Sequence, residues 1–355
     1  MEKTGVINQQ PIPLSLPRRH EVPASGITVL AGDIGGTKTN LATYKVTPEG
    51  IRQIQAARYA STEYQSLTSI IQHFISDYDQ PLPDRISLGV AGPVLNGKVD
   101  LTNLSWVLDQ AEIARSTNVE KVVLINDLEA MAYGLAALKP EDFITLHAGK
   151  IPAVGNMAII APGTGLGQAG LFWNGQSYFP FPTEGGHCDF SPRTDLDMEL
   201  AKYLQQKEAV VSWEMVAAGP AITSIYTFLR DVKRKEEPAW LTEQLATEKD
   251  DSAVISQAAL QNKAAICVET MDLFVRYIAR ETCNLVLKMK ATGGVFLGGG
   301  IPPKIAPLLQ QESFFRHYMD SDRMQHLLEG VPIRIIKNDK TGLLGAAWFG
   351  AYGDW

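Results

Sequence analysis

Two stretches of this chain begin with the same device. ITVLAGDIGGTKTNLATYKV (27–46) and NMAIIAPGTGLGQAGLFW (156–173) each read as a β-rich run, a turn rich in glycine and threonine, and a returning apolar strand. A repeat of that kind points to two related α/β lobes with a cleft between them. The intervening elements fit the plan. Tyr64, Leu67, Ile70, Ile71, Phe74 and Ile75 recur at three- and four-residue steps, which predicts a helix over 63–77. ISLGVAGPV (86–94) and KVVLIND (121–127) are strand-like and stop at glycine or polar residues, and a helix is expected from Leu128 to Leu138. Helical periodicity over 269–290 leads into GGVFLGGGI (293–301), a short buried strand that ends in three glycines, and the terminal TGLLGAAWFGAYGDW reads as an apolar helix. Strands alternating with helices predict mixed sheets covered by helices.

A length of 355 residues suits about two domains. Residues 1–26, with Pro11, Pro13, Pro17 and Pro23 and no apolar period, read as a flexible extension or a strap across the surface. The 32 Lys+Arg against 39 Asp+Glu leave a net charge of −7, which argues against nucleic acid as a partner. No apolar run approaches the ~18 residues of a membrane helix, and no secretory signal is expected. Cys188, Cys267 and Cys283 are too sparse for a disulfide framework or a zinc cage, as expected of reduced thiols in a cytoplasmic protein.

The glycine turns carry the first chemical signal. Gly165, Gly167 and Gly170 match G-x-G-x-x-G, but Gly170 runs into the strand-like LFWNGQSYFPF where a dinucleotide fold needs a helix. A G-x-x-x-x-G-K-[ST] loop is also absent. Glycines still let backbone N–H groups converge on an anion, and threonine adds a donor. Asp33 precedes Gly35, Gly36, Thr37 and Lys38, where a carboxylate suits a hydrated Mg²⁺. Thr164, between Gly163 and Gly165, is placed to grip a second phosphate. The plainer alternative is two ordinary hairpins with Asp33 capping its own turn.

Asn126 and Asp127 follow an apolar run, the position that faces a crevice in open α/β sheets; Asp127 could equally serve as a helix N-cap. In Thr183-Glu184-Gly185-Gly186-His187, the glycines give the backbone room for positive φ, and Pro180, Pro182 and Pro192 restrict the segment to a loop. A glutamate and an imidazole presented together can hold two hydroxyls of a small polar ligand. Glu184, His187 and Cys188 are too close in sequence to close a metal site. Asn103 and Glu214 are weaker candidates, and the other histidines lack any such context.

With these features in place, the chain resembles the bacterial glucokinase family of the sugar-kinase, actin and heat-shock-chaperone ATPase superfamily. The matching motifs are GDIGGTKTNLA (32–42), LTNLSW (101–106), INDLEAMAYG (125–134), APGTGLGQA (161–169), EGGHCDF (184–190), WEMVAAG (213–219), GGVFLGGGI (293–301) and TGLLGAA (341–347), in the family's order. The cysteine-rich loop of zinc-binding relatives is missing, which places the chain with the zinc-free branch.

The resemblance implies an α/β fold of two ribonuclease-H-like lobes with a cleft between them, as in actin-like ATPases. A small lobe over 27–138 would be completed by the helix at 341–355, and a large lobe would span 139–340. The implied activity is ATP-dependent phosphorylation of glucose on its 6-hydroxyl. Asp127 matches the catalytic base, and Asn103, Asn126, Asp127, Glu184, His187 and Glu214 match the sugar-binding positions. Gly35, Gly36, Thr37, Lys38, Gly163, Thr164 and Gly165 fall where the phosphates are held, and Gly298, Gly299 and Gly300 where adenosine is held. Asp33 corresponds to the acid that orients hydrated Mg²⁺. Lys38 stands where some relatives have an amide. A homodimer is expected. The alternatives are a sugar-sensing regulator without catalysis, a kinase for mannose, an amino sugar or a carboxylate, and polyphosphate as donor.

Overall fold

The computed structural model describes residues 12–15, 21–77, 81–101, 104–150 and 153–353. The described chain falls into two compact units. The first contains the residues up to Asp142 together with 171–182 and the stretch from Asn338 onward; the second contains 143–170 and 183–337. The sequence reading assigned all of 139–340 to one lobe, whereas 171–182 group with the first unit. There the Tyr178 N–H donates to Pro13 O and the Ser15 N–H to Tyr178 O, each at 2.8 Å. Residues 12–15 of the expected flexible extension are thus strapped to a strand. Val22, also within it, is buried beside Ile27 and Tyr44. The rest of residues 1–20 lie outside the described residues.

The first unit is built on β1 (Ile27–Ile34), β2 (Lys38–Thr47), β3 (Gly50–Ala60), β4 (Arg85–Val90) and β7 (Val122–Asn126), with β5 (Lys98–Leu101) and β6 (Trp106–Asp109) as a separate antiparallel pair. The five-stranded sheet runs β3-β2-β1-β4-β7. β1, β4 and β7 are parallel; β2 and β3 are antiparallel additions. Because side chains alternate across a strand, β1 feeds two cores. Leu30 and Ile34 pack with Ile70, Phe74 and Ile113, from the helices Leu67–Ser76 and Gln110–Thr117. Val29 and Ala31 pack with Tyr133, Ala346 and Phe349, from the helices Asp127–Gly134 and Thr341–Tyr352. Those last two helices touch through glycine: a Cβ on Gly345 would collide with Ala130 O, and one on Gly134 with Thr341 O. β3 escapes the sequence reading because it is an edge strand, mostly exposed, and offers little apolar alternation.

The second sheet contains β8 (Phe143–His147), β9 (Met157–Pro162), β10 (Leu166–Trp173), β11 (Tyr178–Thr183), β12 (Gly294–Leu297) and β13 (Ile333–Ile336), in the order β11-β10-β9-β12-β13-β8. β9, β12 and β13 are parallel. Strand for strand, β11-β10-β9-β12-β13 repeats the order of β3-β2-β1-β4-β7, so the two glycine hairpins occupy equivalent places. The second unit's core gathers on the 25-residue helix Ala265–Met289, whose Phe274, Tyr277, Ile278 and Val286 pack with Ile160, Trp213 and Phe228. Among the described residues no helix is long and apolar enough to cross a membrane.

Candidate active site

In the first unit the candidate residues lie at the carboxyl ends of parallel strands. Register places Asp33 opposite Gly89 and Val90 opposite Asn126, so Asp33 and the Asn126–Asp127 pair flank the end of β4. Between them Gly89 has no side chain to obstruct the approach: a Cβ there would lie 3.7 Å from Asp127 Cα and 3.0 Å from Ala130 Cβ. The β1–β2 turn is closed by the Gly35 N–H donating to Lys38 O (3.0 Å), and Ser61 braces it through its Oγ on Gly35 O (3.0 Å) and its N–H on Thr37 O (3.0 Å). Thr37 and Lys38 remain exposed.

Asn126 is the N-cap of helix Asp127–Gly134: its Oδ1 accepts from the Leu128 N–H (2.9 Å) and the Glu129 N–H (3.3 Å), and its Nδ2 donates to Gly92 O (3.2 Å). The capping role weighed for Asp127 therefore belongs to its neighbour. Asp127 is the first helical residue, half-buried, with Oδ1 accepting from the Leu128 N–H at 2.8 Å. Asn103 lies outside the described residues.

Asp33 accepts from Asn40 Nδ2 (3.2 Å), and Arg58 Nε donates to Asn40 Oδ1 (2.8 Å). Desolvation raises the Asp33 carboxyl above its ordinary value despite Asn40 and Arg58. A carboxylate so poorly compensated fits a site that a divalent cation completes. Among the described residues no group of three or more His, Cys, Asp or Glu could hold a metal ion alone. That donor set fits Mg²⁺ carried largely by phosphate and water, with one carboxylate nearby.

The second unit places its glycines side by side. Gly163, Thr164 and Gly165 turn β9 into β10, and Gly298–Gly300 follow β12, the next parallel strand. Gly298 N–H donates to Ile160 O (2.8 Å) and Ile301 N–H to Pro162 O (3.3 Å). Gly299 has φ +79° and sits against Pro162 O, 2.5 Å from where a Cβ would fall, so both conformation and space demand glycine. Gly163 is held at both ends, its N–H on Gly165 O and its O accepting from the Gly219 N–H (each 2.8 Å). Thr164 stays exposed at the tip.

Glu184 and His187 are exposed on a single 3₁₀ turn closed by the His187 N–H on Glu184 O (3.0 Å). Gly185 and Gly186 serve close approach, not the positive φ expected: a Cβ on either would strike Gln168 Oε1 or Leu166 O. Pro180 and Pro182 lie within β11, an edge strand of its sheet where a missing N–H is tolerated, and lead into the turn, which is irregular as expected. Glu214 Oε2 accepts from the Leu166 N–H (2.8 Å), tying it to the base of the Gly163–Gly165 turn.

The family model described as glucokinase matches residues 30–352. The chain belongs to the glucokinase family. It is 38% identical over 332 residues to a glucokinase of Nostoc punctiforme, covering 90% of this chain and 97% of the relative. Among solved structures it is similar to a glucokinase from an Antarctic psychrotroph, at TM-score 0.75 and 29% identity over 90% of this chain and 97% of that one. A Balamuthia mandrillaris glucokinase in complex with glucose shares the fold at TM-score 0.75 and 23% identity, covering 92% and 94%. The α/β architecture is thus the actin-like ATPase fold of these glucokinases.

Set on that glucokinase frame, several charged groups emerge that sequence reading passed over. Glu129 stands two residues beyond Asp127, and burial pushes its carboxyl up to about 7. Asn40 and Arg58 support Asp33 from β2 and β3. In the second unit Asp197, Arg280 and Glu281 are buried charges on the helices behind the Glu184–His187 turn. Glu129 and Asn40 carried a sequence signal, their places in the INDLEAMAYG and GDIGGTKTNLA motifs; Arg58, Asp197, Arg280 and Glu281 are charges inside ordinary helices or an edge hairpin.

Proposed function

We propose that this chain transfers the terminal phosphoryl group of ATP to the 6-hydroxyl of glucose, with Asp127 as the base. The observation that carries the reading is the place of Asp127: the first residue of its helix, behind a buried Asn126 cap, at the carboxyl end of the strand next to the one that aligns with Asp33. Phosphoryl transfer asks a protein mainly for positioning and charge stabilisation. Asp127 accepts the proton of the attacking hydroxyl. Asn126, its hydrogen bonds already committed to Leu128, Glu129 and Gly92, keeps that carboxylate in place. Glu184, His187 and Glu214, with Asn103, are the sugar-binding side chains, each carboxylate taking hydroxyl donors that an epimer would misplace. The backbone N–H groups around Gly35–Thr37 and Gly163–Gly165, with Thr37, Thr164 and Lys38, receive phosphate oxygens, and Gly298–Gly300 leave room for adenosine. Mg²⁺, oriented by Asp33, supplies charge neutralisation on the phosphates.

Turnover measured with glucose against mannose, amino sugars and acetate, and with Mg-ATP against polyphosphate, tests the assignment. Glucose with ATP is expected to give the highest kcat/KM; ADP release no faster with glucose than without it removes the proposal. A cytoplasmic location and a homodimer belong to the same reading, the dimer being open to sizing chromatography.

Asp33→Asn separates stability from cation use. A carboxyl raised in the folded state binds its proton more tightly there than when unfolded, so it costs stability as pH climbs from the unfolded value, about 3.9, through the raised one. The ligand-free variant is therefore expected to melt at or above the wild-type temperature at neutral pH. The gain in Tm on adding Mg-ATP should shrink with it. An undiminished gain would show that Asp33 does not serve the cation.

A further inference from the structure

The 25-residue helix Ala265–Met289 carries two consecutive charged residues, Arg280 and Glu281, that are 3% and 0% exposed. Neighbouring positions on a helix point about 100° apart, and these two reach opposite ends of the segment that presents Glu184 and His187.

Glu281 serves the beginning. Its Oε1 accepts from Gln168 Nε2 (2.9 Å) and its Oε2 from Asn284 Nδ2 (2.9 Å). Gln168 in turn carries the turn, because Gly185 rests on Gln168 Oε1 and the Thr183 hydroxyl donates to Gln168 O (3.2 Å). Arg280 serves the end. Its guanidinium donates to Ser191 O and pairs with Asp197 Oδ2 (2.8 Å). Its Cζ lies 5.7 Å from the ring centroids of both Phe190 and Trp213, and Trp213 immediately precedes Glu214. The Trp213 N–H donates to Cys188 O (3.0 Å), closing the frame.

We infer that Arg280 and Glu281 are positioning residues for the sugar-binding turn, fixing Glu184, His187 and Glu214 through Gln168 at one end and the edge-to-face Phe190–Trp213 pair at the other. Burying two full charges is costly where apolar side chains would pack as well. Here Arg280, already paired with Asp197, also holds the Ser191 carbonyl, and Glu281 holds the Gln168 amide against which the turn rests. The inference rests on the proposed sugar-binding role of that turn.

The Gln168–Glu281 pair can be reversed without changing its size. Gln168→Glu sets two carboxylates against each other; adding Glu281→Gln restores one donor facing one acceptor and leaves the new amide oxygen for Asn284. Displacement of the turn by a fraction of an ångström is expected to raise the glucose KM of Gln168→Glu roughly tenfold or more, with the ATP KM within about twofold. The double exchange Gln168→Glu/Glu281→Gln should return the glucose KM to within about twofold of wild type. Arg280→Lys keeps the charge on Asp197 but loses the second donor and the guanidinium's contact with the Phe190 and Trp213 rings, so its glucose KM should also rise selectively. It provides the test should Gln168→Glu fail to fold.

Folded variants whose Tm falls while the glucose KM stays at the wild-type value would overturn the inference, as would a raised KM that the double exchange does not reverse. Glu184→Gln is the control. Should it leave the glucose KM unchanged, the sugar-site reading itself fails; should it raise the KM while the helix variants do not, only the positioning role fails.

Discussion

Asp127→Ala is expected to lower kcat for glucose phosphorylation by roughly 10²–10⁴-fold, the usual contribution of a positioned general base, with binding of Mg-ATP little altered. The local structure makes this a clean experiment. Helix Asp127–Gly134 is capped by Asn126, which the substitution leaves in place, and alanine suits the first helical position. The Asp127 carboxylate is half-buried, so its removal opens no large cavity. A residual rate is expected because the turns proposed to bind phosphate, and the cation proposed with them, would still stabilise the transferring group. Coupled detection of ADP gives kcat, and calorimetry gives the two dissociation constants. A variant that turns over glucose at a near-normal rate removes Asp127 as the base. Lost glucose binding with unchanged chemistry on bound sugar would make it a binding residue instead.

The sequence disclosed most of this arrangement because backbone requirements dominate it. Turns that must let N–H groups converge need glycine, and the strand before each turn needs an apolar run, so both hairpins and the Gly298–Gly300 stop were visible as patterns. Asp33 and Asp127 were visible for a related reason: each stands at the carboxyl end of an apolar strand, although each also has a plainer reading as a cap. What stayed hidden depends on partners distant in sequence. Asn126 and Asp127 are adjacent candidates for one cap, and only the hydrogen bonds to Leu128 and Glu129 decide between them. A strap is one reading of the amino-terminal extension, but nothing in its pattern names Tyr178 as its partner or groups 171–182 with the first unit. Arg280 and Glu281 occupy an apolar-patterned helix where a lone charge normally marks the solvent face, and only tertiary contact shows that both point inward.

Asp197→Ala should cause the largest loss of stability, about 3–5 kcal/mol at neutral pH, the usual result of removing one partner of a buried ion pair. Asp197 is fully buried and accepts from the guanidinium groups of Arg276 and Arg280, the Tyr277 hydroxyl (3.0 Å), and the N–H groups of Arg193 (3.0 Å) and Thr194 (3.2 Å). Without it, Arg280 keeps its charge in a site walled by Phe190, Trp213 and Tyr277, its Nε already lacking a hydrogen-bond partner. The pH dependence follows from the carboxyl. Burial alone would raise it, but the Arg193 N–H, the two arginines and Tyr277 prevail and hold it below its ordinary value. A depressed carboxyl contributes stability that is complete above the unfolded value, about 3.9, and is lost as pH falls through the folded one. Urea titrations should therefore show a constant gap between wild type and Asp197→Ala from pH 7 down to about 4, narrowing only below. The opposite dependence belongs to Asp33, Glu129 and Glu281, whose raised carboxyls favour the protonated fold and cost stability as pH rises; both variants retain them, so they cancel from the gap. A gap under about 1 kcal/mol at pH 7 would put this cluster in the class of weakly coupled surface pairs and deprive Arg280 of the rigid anchor from which it is argued to hold the sugar-binding turn.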